Sequence, residues 1–342
     1  MRERERGRHV GIMRRGLTRP LAAAALLLAA CSSGAPAQRS PSPLPSLASA
    51  SPFPSPSPEA LQRMEPSLPA AVEEAAAAAA GGKLYVMGGF NAAGQSLSTV
   101  YVFDGTTWST GPRLPLAVDH PSAATLDDHV YIAGGHSNGR DTPRVFRLDG
   151  DSWTEVAPMH YARGGHALVS AVGRLYAIGG NTASGNVGPT ESYNPATNGW
   201  NVLADLPSPR NHLAGFSVDD VACVAGGRSP NTTRVDCLLL VTGVWSRPIS
   251  DVPSPTSGGG AVAFPNGDVI AAGGEDAGES RIIDQLVYLR GASWVSAGTM
   301  LSPRHGFQLA IFNGRAWACG GGSAAGLHPV ATCTSLGDAA AS

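Results

Sequence analysis

One line of sequence recurs six times in this chain. KLYVMGG (83–89), HVYIAGG (129–135), RLYAIGG (174–180), VACVAGG (221–227), DVIAAGG (268–274) and RAWACGG (315–321) each run a short apolar stretch into two glycines. The first glycines fall at 88, 134, 179, 226, 273 and 320, at intervals of 46, 45, 47, 47 and 47 residues. A fixed period of this size makes each repeat one supersecondary unit. Such a unit cannot bury both faces alone, so its neighbours must cover it.

The stretch 163–207 shows what one unit is. HALVSAV (166–172) and Leu175 to Ile178 are apolar runs, with a turn at Val172-Gly173 between them. After the double glycine comes a polar loop, NTASGNVGP, then the alternating TESYNP, then a short run opened by Trp200 and ended by Leu206-Pro207. Four short strands punctuated by Gly, Pro and Asn make one antiparallel sheet. The first turn is Gly81-Gly82, Asp127-Asp128, Asp219-Asp220, Asn266-Gly267 and Asn313-Gly314 in the other units. Tight hairpins need positive φ, and several of these dipeptides supply it. Trp108, Trp153, Trp200, Trp245 and Trp294 follow the first glycines by 19 to 21 residues.

A double glycine, a third-strand Tyr and a Trp about 20 residues on resemble the kelch repeat. The resemblance covers residues 60–342 and implies an all-β fold: a six-bladed kelch β-propeller with four antiparallel strands per blade. The sixth unit has no Trp after its glycines and the sequence ends at 342. Residues 60–66 precede Leu68-Pro69, which matches Leu114-Pro115 and Leu206-Pro207. They are expected to supply the outermost strand of the last blade and close the ring, with Gln62 where Trp stands elsewhere. Propensity alone makes Ala75 to Ala80 a helix. The repeat register makes it an innermost strand, where small side chains fit the taper.

The N-terminal region reads differently. Arg14, Arg15 and Arg19 precede an apolar run of ten residues, Leu21 to Ala30. That is too short to span a bilayer as a helix and fits a secretory signal over 1–30. Leu28-Ala29-Ala30-Cys31-Ser32 resembles the bacterial lipobox, which implies a diacylglycerol on the Cys31 thiol and an export signal removed before it. Residues 31–59 are rich in Ser and Pro and read as an extended tether. The expected location is outside the cytoplasm, lipid-anchored to the outer face of the cell membrane or in the envelope. Charged residues make up 15% of the chain and Lys is almost absent. The leader holds seven Arg and two Glu, so the formal charge of −2 becomes −7 without it. An acidic surface excludes a nucleic-acid partner.

Four cysteines remain besides Cys31. Cys223 and Cys237, and Cys319 and Cys333, are each 14 apart, on strands that the repeat makes antiparallel neighbours. Three connectivities are open. The register favours 223–237 and 319–333, and an exported chain permits them.

Function is expected at one end of the propeller, where the loop into the first strand and the loop after the second open together. The first loops carry Arg163 and His166, Arg210 and His212, Arg304 and His305. The second begin at Asn91, His136, Asn181, Arg228, Glu275 and Ser323. A planar Arg fork suits carboxylates. In kelch adaptors of ubiquitin ligases an Arg at this place contacts acidic peptides, so the resemblance points to Arg163, Arg210 and Arg304. The expected ligand is a protein, peptide or glycan, bound by a monomer without cofactor; a purely structural envelope module is a further reading. The resemblance also includes exported sialic acid mutarotases, in which Glu275 or His166 would be the acid/base. It includes a copper oxidase too, which is set aside because the tyrosines occupy core positions and the cysteines pair. No C-x-x-C or H-E-x-x-H spacing points to a metal.

Overall fold

The computed structural model describes residues 62–337. The leader 1–30, Cys31 and the tether 31–59 lie outside them. The described residues form six four-stranded antiparallel sheets, with strand and no helix. Blade 1 is Ala76–Ala80, Lys83–Met87, Val100–Phe103 and Trp108–Thr110. Blade 2 is Ser122–Leu126, His129–Ala133, Val145–Asp149 and Ser152–Val156. Blade 3 is Ala167–Ala171, Arg174–Ile178, Glu191–Asn194 and Gly199–Val202. Blade 4 is Ala214–Val218, Val221–Ala225, Val235–Leu239 and Val244–Ser246. Blade 5 is Gly260–Ala263, Val269–Ala272, Gln285–Arg290 and Ser293–Thr299. Blade 6 is Leu309–Phe312, Arg315–Cys319 and Cys333–Leu336, completed by Gln62–Glu65. The alanine run is thus a strand, as the register requires, because its neighbours in the ring override its helix propensity.

Alternation along each strand fills the gaps between blades. On the second strand of blade 1, Leu84 and Val86 face blade 6 with Phe312 and Trp317, while Tyr85 and Met87 face blade 2 with Val130 and Ile132. The other blades repeat this, giving one apolar cluster per gap among the described residues. A period of two is what a sheet buried on both faces needs.

The tryptophans tie neighbouring blades together. The indole N–H of Trp108, Trp153, Trp200, Trp245 and Trp294 donates to Pro66, Pro112, Ala157, Ala204 and Ser250 in the preceding loop. Gln62 keeps the sixth link without an indole. Its Nε2 donates to the Thr299 carbonyl at 2.8 Å, and its Oε1 accepts from Leu301 N at 2.6 Å. Gln62 stands opposite Leu336 in the closing strand pair.

Both disulfides form as the register favours, Cys223–Cys237 and Cys319–Cys333. Each pair sits directly opposite on adjacent strands. Closing a loop of this size stabilises by about 3 kcal/mol on the chain-entropy account.

The double glycine has two steric causes. A Cβ on Gly179 would lie 2.6 Å from the carbonyl oxygen of Arg210 in the next blade, and one on Gly180 would lie 2.8 Å from Gly164 O in its own. Both glycines have positive φ, 65° and 91°. Their closeness serves a bond: Gly180 N donates to Arg210 O, and the equivalent glycines 89, 135, 227, 274 and 321 donate to Val118, Arg163, Thr256, Arg304 and Val72. Six such bonds lock each blade to the next.

Candidate functional site

The first-strand loops meet around the axis in a closed ring. His120 N donates to Glu74 O, Gly165 N to His120 O, His212 N to Gly165 O, Gly258 N to His212 O, Gly306 N to Gly258 O and Glu74 N to Gly306 O, at 2.6 to 3.0 Å. All six residues have left-handed φ, between 52° and 67°. That conformation suits glycine and strains other residues, by about 1–3 kcal/mol each. Three of the six are not glycine.

The next residues outward pair in six isolated bridges. Glu73 meets Phe90, Asp119 meets His136, Gly164 meets Asn181, Asn211 meets Arg228, Ser257 meets Glu275 and His305 meets Gly322. The expected juxtaposition of the two loop sets is therefore present. Its second set shifts by one at two blades: Phe90 and Gly322, and not Asn91 and Ser323, hold the equivalent places.

The arginines are a correction. Arg163, Arg210 and Arg304 are completely buried. Arg163 donates to Gly179 O, Pro189 O and Glu191 Oε1 at 2.8, 2.9 and 2.9 Å. Arg210 donates to Gly226 O at 2.6 Å and Asp236 Oδ2 at 2.9 Å. Arg304 donates to Gly320 O and Thr332 O, both at 2.7 Å. Each guanidinium thus caps the carbonyl of its own blade's first glycine and has no face left for a ligand. Burial pulls the Arg304 guanidinium down to about 10, which leaves it cationic at neutral pH.

His166 is also buried, and neither ring nitrogen finds a partner among the described residues. Burial, then Arg163 and His136, holds its pKa well below the usual imidazole value. Asn181 is half-buried beside Gly164.

The remaining predicted residues do converge on the axis. Arg228 Nη2 donates to His212 Nε2 at 3.0 Å, and its Nη1 lies 3.6 Å from Glu275 and 2.9 Å from Glu279. His305 stands between two buried carboxylates, 3.2 Å from Glu73 Oε1 and 3.4 Å from Glu275 Oε2. Burial pushes the Glu73 and Glu275 carboxyls up, against the pull of His305 between them. His136 pairs with Asp141 at 2.8 Å, and its ring centre lies 5.5 Å from that of His120.

Glu73, Glu74, Asp119 and His120 complete this mouth and escaped the sequence reading. The signal was present, because they stand at the same offset before the innermost strand as Asn211 and His212. Arg was the marker used, and blades 1 and 2 have Val72 and Val118 in its place.

Below the ring the channel narrows to a cavity of about 60 Å³. Gln308 crosses it there, with Oε1 accepting from the N–H of Ala77 and Ala123. Beside the axis, between the loops of blades 1 and 2, lies an open groove of about 720 Å³ lined by Phe90, Gln95, Ser96, Asp119, His120, His136 and Asn138.

Comparison with known proteins gives the repeat its name. Residues 59–227 match the model of the KLHDC2/KLHL20/DRC7 Kelch-repeats domain. The repeats over this part of the chain are similar to those of kelch domains. The chain is 26% identical over 285 residues to Kelch-like protein terF of Aspergillus terreus, covering 77% of this chain and 53% of that protein. It is 40% identical over 84 residues to Beta-scruin of Limulus polyphemus, covering 24% of this chain and 9% of that one. Kelch-like protein 35 of Mus musculus is 32% identical over 114 residues, covering 32% and 20%. The chain thus spans from a tenth to about half of the length of these kelch relatives. Among solved structures, "Structure of YjhT" shares the fold with a TM-score of 0.69 and 17% identity, over 80% of this chain and 97% of that one.

Proposed function

We propose that this kelch propeller is a lipid-anchored extracytoplasmic binding module that takes a basic segment of a protein partner at the channel mouth. The groove beside the axis carries the reading. It is open and lies beside the axial channel, which Gln308 crosses, so it suits an extended segment better than an engulfed small molecule. Around the mouth Glu74 and the more deeply set Glu73, Asp119 and Glu275 outnumber two guanidiniums, that of Arg228, 3.6 Å from Glu275, and that of the exposed Arg140 beside the groove. This excess of carboxylates favours a cationic ligand over the acidic one first expected. Kelch propellers serve as protein-binding modules, which accords with a protein partner. The anchor rests on the lipobox at Cys31 and the tether on residues 31–59.

One geometric relation favours a second ligand class. Glu275 and Arg228 face each other at 3.6 Å, a pair able to bind a sugar acid and exchange its proton, as in the mutarotase-type reading.

Thermal unfolding of the purified protein against Lys/Arg-rich peptides, acidic peptides, sialic acids and uronic acids separates the readings. A ligand at a hundredfold excess over its Kd adds about 2.7 kcal/mol to stability. A rise with basic peptides, lost in Asp119→Asn/Glu275→Gln, supports the proposal. A rise with sugar acids alone replaces it with the second reading. Mass and fractionation of a Cys31→Ser variant test the anchor: without the thiol, the protein should leave the membrane fraction.

A further inference from the structure

Six residues take equivalent places in the axial ring, and three of them are glycine, as the left-handed backbone prefers. The other three are Glu74, His120 and His212, and it is their side chains that converge. Glu74 Oε2 lies 3.7 Å from His120 Nε2, and Glu74 Oε1 lies 3.8 Å from His212 Nε2. One ligand atom from each falls within 4.8 Å of the others. We propose that Glu74, His120 and His212 bind one divalent transition-metal ion of zinc type on the propeller axis.

The hydrogen bonds behind the rings prepare them for this. His120 Nδ1 meets Asp119 Oδ1 at 2.7 Å, and that carboxylate is held from its other oxygen by Ser96 Oγ. His212 Nδ1 meets Asn211 Oδ1 at 2.5 Å, whose own Nδ2 donates to Asn186. Both Nδ1 atoms are thereby donors, and both Nε2 lone pairs point inward. A second-shell oxygen that fixes the tautomer is a regular companion of a metal-bound imidazole. The glycines of the ring leave the room: a Cβ on Gly165 would lie 2.9 Å from His212 Nδ1, and one on Gly306 would lie 2.8 Å from Glu74 Oε1.

Two imidazoles and a carboxylate are a zinc-type donor set that leaves a fourth position open. Tetrahedral ligands about 2.0–2.1 Å from zinc lie about 3.4 Å apart, so small side-chain rotations suffice. The ion displaces Arg228 from His212 Nε2, and Arg228 keeps Glu279. No local motif betrays this site, because its ligands come from three repeats. It stands whether or not a partner binds the mouth.

The test is calorimetric titration of metal-stripped protein with Zn2+, with the visible absorption of Co2+ as a second probe. One equivalent should bind. His120→Gly and His212→Gly should each weaken it at least a hundredfold, and Glu74→Gln should weaken it too. Asp119→Asn should weaken it by 10- to 100-fold. The glycine variants copy what three blades already carry, so the metal-free thermal midpoint should hold or rise. Absence of saturable binding, or binding undiminished in His120→Gly/His212→Gly, would overturn the proposal.

Discussion

Gln308 of blade 6 grips the backbone of Ala123 in blade 2 across the channel. Its Oε1 accepts from Ala123 N at 3.0 Å, and its Nε2 donates to Ala123 O at 3.3 Å. The same Oε1 accepts from Ala77 N at 3.1 Å. One side chain thus ties the inner strands of blades 1 and 2 to blade 6 and satisfies two of their donors. Gln308→Ala should cost about 1–3 kcal/mol, as unpaired buried amides do, measured by urea unfolding. A fully stable variant would mean that water replaces the side chain without loss.

The two classes of glycine should respond differently to a methyl group. Gly173 is a turn residue with φ of 68° and open space around its Cβ position, whereas Gly179 has φ of 65° and faces Arg210 O at 2.6 Å. Gly173→Ala should cost about 1–2 kcal/mol, the backbone term alone. Gly179→Ala should cost about 3 kcal/mol or more, because overpacking adds to it. Equal costs in denaturant melts would remove the close-approach account of the double glycine.

The buried arginines should behave as structural ions. Arg163 and Glu191 pair at 2.9 Å with both side chains fully buried. Arg163→Met leaves the buried Glu191 without its guanidinium, with only the exposed His160 ring 2.9 Å from its other oxygen, and should cost about 3–5 kcal/mol. The double variant Arg163→Met/Glu191→Gln should recover part of that. Ligand binding at the mouth should persist in whatever fraction folds.

Acid sensitivity should trace in part to His166. Its folded pKa is depressed by burial, next by Arg163 and His136, while the unfolded imidazole titrates near 6.5. Its contribution is therefore complete above about pH 6.5. As pH falls below that, the unfolded chain takes up a proton that the folded chain refuses, and stability drops toward the folded pKa. One such group gives at most about 1.4 kcal/mol per pH unit. His166→Phe should flatten the profile of unfolding free energy below pH 6.5, and an unchanged slope would rule out this source.

The architecture was legible because it is written six times. The period gave blade number, the turn dipeptides gave the strands, and Leu68-Pro69 exposed the closing strand despite Gln62 in the tryptophan slot. The structure shows why Gln62 fits: it makes the same link to the preceding loop as the indoles do. The site was legible only in part. Residue type places Arg163 and Arg210 on loops, but burial decides their role, and that depends on Glu191 and Asp236 reaching them from the third strand. Both acids stand in the same register, opposite Ala177 and Val224, each two residues before a first glycine. Comparing repeats column by column would have paired them. Glu74, His120 and His212 are harder to see, because their meeting depends on ring closure and not on spacing within a repeat.

The most direct test of the binding face is site-specific photo-crosslinking in intact cells. The probe replaces Gln95 or Asn138 at the groove, or Asp128 or Asn313 on the hairpin turns at the other end, all four exposed. The account predicts a discrete adduct from the groove positions, none from the turns, and loss of the adduct in Asp119→Asn/Glu275→Gln. Adducts from Asp128 or Asn313 alone, or groove adducts indifferent to those substitutions, would contradict it.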